Sequence, residues 1–274
     1  MNKRFHLDGF MSRKTLKKRK AKKRQPKTFI IILVVVFSII ISGAIYYILI
    51  VGSSQPTQSK PTFLKAVIID GLSEDAPNPK LISEMRRILE SAGYTVIIFN
   101  GSNVNIELFK KLPTTSSSLI IMRLHGGRIQ QPIGLFIGSG IFAEPFDENK
   151  YKYEYLSGYF LKGVAYVGGK EYFVITPHYV SEKFEGKFPN SIVVVLSCYS
   201  MWDQVLASAF IERGASAFIG IDHKADINYL DKVGLELVKL LSQKIDVEEA
   251  VSRVLEDIGP DPTTGAKILS YTTK

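Results

Sequence analysis

The sequence contains a single cysteine, Cys198, which follows an apolar run typical of a buried strand, residues 192–196. A histidine stands at the equivalent place of another such run, since His125 follows LIIMRL at residues 119–124. If the two strands are neighbours in a parallel sheet, the imidazole and the thiol lie in one crevice at its carboxyl edge. A nearby imidazole, and the N-terminus of a helix beginning near Met201, would both favour the nucleophilic thiolate and lower the thiol pKa. The pair predicts nucleophilic catalysis in which His125 acts as general acid and base.

The two glycines after His125 suit the same chemistry. An acyl-transfer intermediate carries an oxyanion that needs fixed N–H donors. Glycine lets a backbone amide approach a substrate without a side chain in the way. The backbone amides of Gly126 and Cys198 are the predicted donors of this oxyanion hole.

Other interpretations of these residues stay open. Free cysteine is among the most buried residue types, so Cys198 could be a packing residue. His223 also follows a predicted strand and would suit a glutamine-amidotransferase-like site, but that motif expects His-x-Glu and residue 225 is Ala. His178 follows Thr176-Pro177 and is more typical of a residue flanking a short helix.

The sequence predicts no metal and no cofactor. Its four histidines, at positions 6, 125, 178 and 223, have no metal-ligand spacing with the single cysteine. The GGK at 168–170 lacks the strand and loop that precede a phosphate-binding lysine.

The elements that must position these residues alternate between short apolar strands and amphipathic helices, which predicts a parallel sheet covered on both faces. Between them, residues 128–190 are rich in glycine and aromatic residues and predict short antiparallel strands. Asp226 and Asp246 are predicted N-caps of the last two helices. The predicted strands are 66–69, 95–99, 119–122, 192–196 and 216–219, and the predicted helices are 80–92, 103–112, 202–213, 226–241 and 247–258.

The N-terminal region has a different composition. The first 27 residues hold twelve Lys and Arg and one acid, whereas the rest of the chain has a slight excess of acids. Phe29–Val51 carries no charge, and at about 1.5 Å per residue a helix of that length spans roughly 34 Å, enough to cross a bilayer core of ~30 Å. We therefore expect a basic cytoplasmic tail at 1–28, a membrane span at 29–51, a polar linker at 52–62 and an extracytoplasmic domain at 63–274. The basic tail is explained by the span, so no nucleic-acid partner is expected.

Two motifs resemble the caspase–legumain–gingipain group of cysteine peptidases. One is a hydrophobic strand ending in His125-Gly126, and the other is a later hydrophobic strand ending in a small residue and Cys198. The stretch LSCYSMWDQVLASAFIERGASAFIGI also resembles the CHAT-type members of that group. The chain departs from the group in having Leu196-Ser197 before the cysteine and no glycine at residue 201.

The resemblance implies a caspase-like three-layer α/β/α sandwich with a mainly parallel sheet. It implies a cysteine endopeptidase acting on peptide or protein substrates through a His125–Cys198 dyad, with Gly126 and Cys198 as the oxyanion hole. The group often places specificity residues after the first strand, which makes Asp70 a candidate, although an acidic loop at Asp70, Glu74 and Asp75 is also an ordinary solvated surface. The alternatives are a catalytically inactive binding or scaffold domain and an amidohydrolase using Cys198 with His223.

Overall fold

The computed structural model describes residues 27–51, 64–130, 136–165 and 168–272. The chain divides between Lys60 and Pro61 into two units. All but the last two residues of the predicted basic tail lie outside the described residues, and so does the predicted linker at 52–62.

The first unit contains helix α1, Lys27–Val51, which covers the run expected to be helical. Side chains are described at 31–32, 35–43 and 45–46. Among the residues that the structure describes in this way, no helix is long and apolar enough to cross a membrane. The membrane span at Phe29–Val51 therefore stays a prediction.

The second unit is built on a six-stranded sheet with the strand order β10-β9-β8-β3-β1-β2. All neighbouring strands are parallel except β10, which runs antiparallel to β9. The strands are β1 Leu64–Asp70, β2 Tyr94–Asn100, β3 Leu119–Arg123, β8 Ile192–Leu196, β9 Ala217–Ile221 and β10 Ile268–Thr272.

Helices cover both faces of this sheet. Ile68 and Ile69 are fully buried on opposite faces, as expected where successive side chains alternate, so the strand has no polar face in its sequence. The layers confirm the predicted α/β class with a mainly parallel central sheet. One face packs against α2 Pro79–Ser91, α7 Ile227–Ser242 and α8 Val247–Asp257, and the other against α3 Ile106–Lys111, α5 Pro177–Lys183 and α6 Val205–Glu212.

Both predicted N-caps are confirmed. The Asp226 carboxylate accepts the N–H of Asn228 at 2.8 Å, and that of Asp246 accepts the N–H of Glu248 at 2.9 Å. Each side chain satisfies a helix N–H that has no partner within the helix.

A second sheet of four antiparallel strands, in the order β4-β5-β7-β6, occupies the segment predicted to form hairpins. It begins directly after His125, so the histidine stands where the chain passes from the parallel sheet to the antiparallel one. Its elements are β4 Gly126–Gln130, β5 Phe136–Pro145, α4 Lys152–Leu156, β6 Phe160–Val164 and β7 Glu171–Ile175.

Several elements differ from the sequence prediction. Helices α4 and α5 lie in the segment predicted to form antiparallel strands, and α3 is shorter than the helix predicted at 103–112. The helix expected from Trp202 begins at Val205, because the carboxylate of Asp203 accepts the Val205 N–H at 3.0 Å and holds the preceding residues in a turn. Strand β10 was not predicted, since only its first residue, Ile268, is buried and its sequence has no continuous apolar run.

Candidate active site

The central sheet places His125 and Cys198 at the same edge. Strands β3 and β8 are parallel neighbours with Arg123 opposite Leu196, so each candidate residue lies two positions beyond a register pair. Both residues line one cleft of about 970 Å³. The expected adjacency of the two strand ends is confirmed.

The glycine after His125 packs directly on the cysteine loop. A Cβ atom added to Gly126 would lie 2.6 Å from the carbonyl oxygen of Cys198 and 2.6 Å from Oγ of Ser197. Real Cβ atoms do not approach backbone so closely, so only glycine fits between the two strand ends. At Gly127 the nearest atom to such a Cβ is a ring carbon of Phe142 at 3.5 Å, which is an ordinary contact.

This contrast gives a matched pair of variants. Gly126→Ala is expected to push the Cys198 loop away from His125 and to lower the stability of the fold by about 1–3 kcal/mol. Gly127→Ala should leave the stability near that of the wild type. Thermal melting measures the effect, and equal melting of the two variants would contradict the packing argument.

Backbone pairing, rather than a helix, holds the turn after Cys198. Tyr199 has a φ of +59°, a left-handed conformation that non-glycine residues seldom adopt. Its N–H donates to the carbonyl of His223 at 3.0 Å. The buried hydroxyl of Ser200 accepts the N–H of Ile221 at 2.9 Å. These bonds fix the direction in which the chain leaves Cys198.

The thiol of Cys198 is hydrogen-bonded to the backbone of Ala225. Sγ lies 3.6 Å from the carbonyl oxygen of Ala225 and accepts its N–H at 3.4 Å. Burial raises the pKa of the thiol, and the Ala225 N–H and the charge of Lys224 offset only part of this effect. The predicted lowering of the pKa is therefore wrong for this arrangement. The helix expected to begin near Met201 begins instead at Val205.

His125 is held by a carboxylate that is distant in sequence. Its Nε2 lies 3.1 Å from Oδ2 of Asp75, and the Asp75 side chain is only 8 % exposed. The same carboxylate accepts Nζ of Lys170 at 2.5 Å and the hydroxyl of Tyr172. Burial alone would raise the pKa of Asp75, but the bonds from Lys170, Tyr172 and His125 together lower it.

This contact determines which ring nitrogen is basic. An ionised carboxylate only accepts hydrogen bonds, so Nε2 of His125 carries a hydrogen. In the neutral ring Nδ1 is then the nitrogen that can accept a proton. Asp75, His125 and Cys198 all line the cleft, so a carboxylate-oriented imidazole and a thiol border the same space.

Asp75 is the site residue that sequence reasoning passed over. Its loop was considered as a solvated acidic surface or a specificity pocket. The only signal in the sequence is an acid placed shortly after a strand of the same sheet. Nothing in that signal distinguishes Asp75 from Glu74, which is exposed.

Asp70 has a different place from the one considered for it. It is buried and its Oδ1 accepts a guanidinium N–H of Arg123 at 2.9 Å. Arg123 also donates to Asp231 at 2.6 Å and to the carbonyl of Ala76 at 2.9 Å. Asp70 does not line the cleft, so the expected role in substrate specificity is corrected. Asp70 instead pairs with Arg123 and supports the carboxyl edge of the central sheet.

The two other candidate histidines in the described part of the chain contact other residues. His223 has its Nδ1 3.3 Å from Oδ2 of Asp222 and its ring 5.2 Å from that of Trp202, and the side chain is 54 % exposed. His178 stacks on Tyr159 at 4.6 Å. Neither lines the cleft, whereas His125 does.

Comparisons with known proteins give a distant likeness to a solved structure. No protein family matches the sequence, and no curated protein does. Among solved structures, the chain is similar to "Crystal structure of the Arg specific cysteine proteinase gingipain R (RGPB)", with 13% identity and a TM-score of 0.42. The match covers 71% of this chain and 42% of that one, so it spans less than half of the proteinase. A likeness this distant carries no argument about activity or substrate.

Proposed function

We propose that this chain is a cysteine peptidase in which Cys198 attacks the scissile carbonyl of a peptide. The single observation that carries the proposal is that an Asp75-oriented imidazole and the chain's only thiol line the same cleft. The fold class, with the reacting groups at the carboxyl edge of a parallel sheet, supports it.

The residues would act in the following order. Nδ1 of His125 takes the thiol proton as sulfur attacks the carbonyl carbon, and the resulting oxyanion meets the amides of Gly126 and Cys198. The imidazolium then protonates the leaving amine, and the thioester remains on Cys198. Water, deprotonated by the neutral imidazole, attacks the thioester carbon. The C–S bond then breaks, the carboxylic acid product leaves, and the imidazolium returns the proton to the sulfur. Asp75 keeps Nε2 protonated throughout and offsets the charge of the imidazolium.

The raised pKa of Cys198 affects the timing of the first step. The resting sulfur keeps its proton, so proton transfer to His125 accompanies the attack on the substrate rather than preceding it. A substrate that displaces the thiol from Ala225 would start this transfer.

A second function has support from the same thiol. Cys198 is bonded to backbone and its pKa is raised by burial, which is the environment of an unreactive packing cysteine. The alternative is a binding or scaffold domain that keeps the fold without the activity.

Labelling of the full-length chain with peptide acyloxymethyl ketones separates the two. On the peptidase proposal, Cys198 is modified much faster than glutathione, His125→Ala slows modification by at least about 100-fold, and Asp75→Asn slows it by roughly 10-fold. His223→Ala is the matched control and should react as the wild type does. Slow labelling that does not depend on His125, read by mass spectrometry of the Cys198 peptide, would favour the scaffold.

The proposal includes a location. The apolar run at 29–51 would anchor the chain in a membrane as a single span, with the basic tail in the cytoplasm and the domain on the other side. Its support is the charge asymmetry of the sequence.

A further inference from the structure

Strand β6 lies at an edge of the second sheet and borders the cleft. In the strand order of that sheet, β7 is its neighbour among the described strands. Five consecutive residues, 161–165, line the cleft, including four of the five residues of β6. Side chains alternate between the two faces of a strand, so a cleft that touched only one face of β6 would be lined by every second residue. Because consecutive residues line it, the cleft also reaches the edge of β6 that is not paired with β7.

The ladder with β7 shows which backbone groups point to that edge. Ala165 donates its N–H to the carbonyl of Lys170 at 2.8 Å, and Thr176 donates to the carbonyl of Tyr159 at 3.3 Å. Hydrogen-bonded pairs alternate along antiparallel strands, so Leu161 and Gly163 also face β7. The N–H and C=O groups of the intervening residues, 162 and 164, point away from β7.

The side chains beside this edge are apolar on the face nearest to His125. Leu161 packs with Phe142 and Val174. The ring of Phe142 lies 6.1 Å from that of His125. Gly163 leaves room for this arrangement, since a Cβ there would lie 2.5 Å from Val174 and 2.7 Å from Phe142. An apolar surface thus runs from the open edge to the imidazole.

We propose that an extended segment of the peptide substrate pairs with the open edge of β6 as an added strand. This inference rests on the proposed peptidase function. The backbone groups of Lys162 and Val164 exchange hydrogen bonds with alternate peptide residues of the substrate, and intervening side chains contact Leu161 and Phe142. The occupant is the substrate because the edge belongs to the cleft that holds Cys198. The substrate class is an unfolded or extended polypeptide with apolar side chains near the cleaved bond.

The test uses two acyloxymethyl ketones of the same apolar amino acid, a hexapeptide reagent and a single-residue reagent. The hexapeptide is made in versions carrying one N-methyl group at each backbone amide in turn. We expect N-methylation at alternate amides to slow labelling of Cys198 by about 10-fold each, and methylation at the intervening amides to change it less than 3-fold. The proposal is overturned if N-methylation slows labelling equally at every amide, or slows it at no amide.

A pair of protein variants tests the same edge. Val164→Pro removes an N–H that points away from β7, a substitution that edge strands accept. It should slow the hexapeptide by about 10-fold and leave the single-residue reagent unchanged. Tyr153→Ala, which alters an exposed side chain that does not line the cleft, is the control and should change neither by more than about 2-fold. Equal slowing of both reagents by Val164→Pro overturns the pairing. A Val164→Pro protein that loses self-association also overturns it, because the edge would then bind a second copy of the chain.

The two proposals fail in distinguishable ways. If neither reagent labels the wild type at Cys198, the peptidase function falls, and the pairing with it. If the single-residue reagent labels Cys198 in a His125-dependent way but the N-methyl series shows no alternation, only the pairing with β6 falls.

Discussion

Cys198→Ser is expected to abolish peptide cleavage while the protein melts within about 2 °C of the wild type. Loss of a nucleophile lowers turnover by at least roughly 10⁴-fold when the remaining groups cannot replace it. Stability should change little because a serine hydroxyl can keep both contacts with Ala225, donating to its carbonyl and accepting its N–H. Cleavage of an internally quenched peptide and thermal melting measure the two quantities.

The neighbouring residue provides the control for this experiment. Oγ of Ser197 is buried and has no hydrogen-bond partner among the described residues. Ser197→Ala removes it without breaking a bond, so cleavage and melting should stay close to the wild type. A Cys198→Ser protein that melts several degrees lower and still cleaves peptides would identify Cys198 as a core residue, and the peptidase proposal would be abandoned.

Arg123→Ala is expected to produce the largest loss of stability. The Arg123 side chain is 2 % exposed and pairs with Asp70 and Asp231. Its removal leaves these carboxylates without their cation, which typically costs about 3–5 kcal/mol. In a domain of this size each kcal/mol lowers the melting temperature by roughly 2–4 °C, so a fall of about 10 °C is expected. Arg86→Ala is the control, because the Arg86–Glu90 pair is exposed and should contribute less than about 1 kcal/mol.

The loss caused by Arg123→Ala should depend on pH. Burial raises the pKa of Asp70 and the bond and charge of Arg123 lower it, so the pKa rises further in the variant. A carboxyl whose pKa is higher in the folded than in the unfolded state binds its proton more tightly in the folded protein. The free energy of unfolding therefore increases as the pH falls through the folded-state pKa. The difference in unfolding free energy between variant and wild type should therefore narrow from pH 7 towards pH 5. A difference that stays constant over this range, or is below about 1 kcal/mol, would contradict the account of this network.

The sequence by itself predicted the elements that carry strong local patterns. The apolar runs before His125 and Cys198 were recognised as strands, because both faces of a covered parallel sheet demand apolar residues. Their shared edge followed from the direction of parallel strands. Asp226 and Asp246 were recognised as caps because a side chain that satisfies a helix N–H acts on residues two or three positions away. These predictions needed no knowledge of distant contacts.

Only the tertiary structure decided the environment of each reacting group. The hydrogen bond from His125 to Asp75 joins residues 50 positions apart, and the hydrogen bond from Cys198 to Ala225 joins residues 27 positions apart. Asp70 and Asp75 are the same residue type five positions apart, yet Asp70 pairs with Arg123 at the end of β1 and Asp75 lines the cleft. Their roles differ because a carboxylate is defined by the donors that surround it, and those donors come from strands brought together by folding.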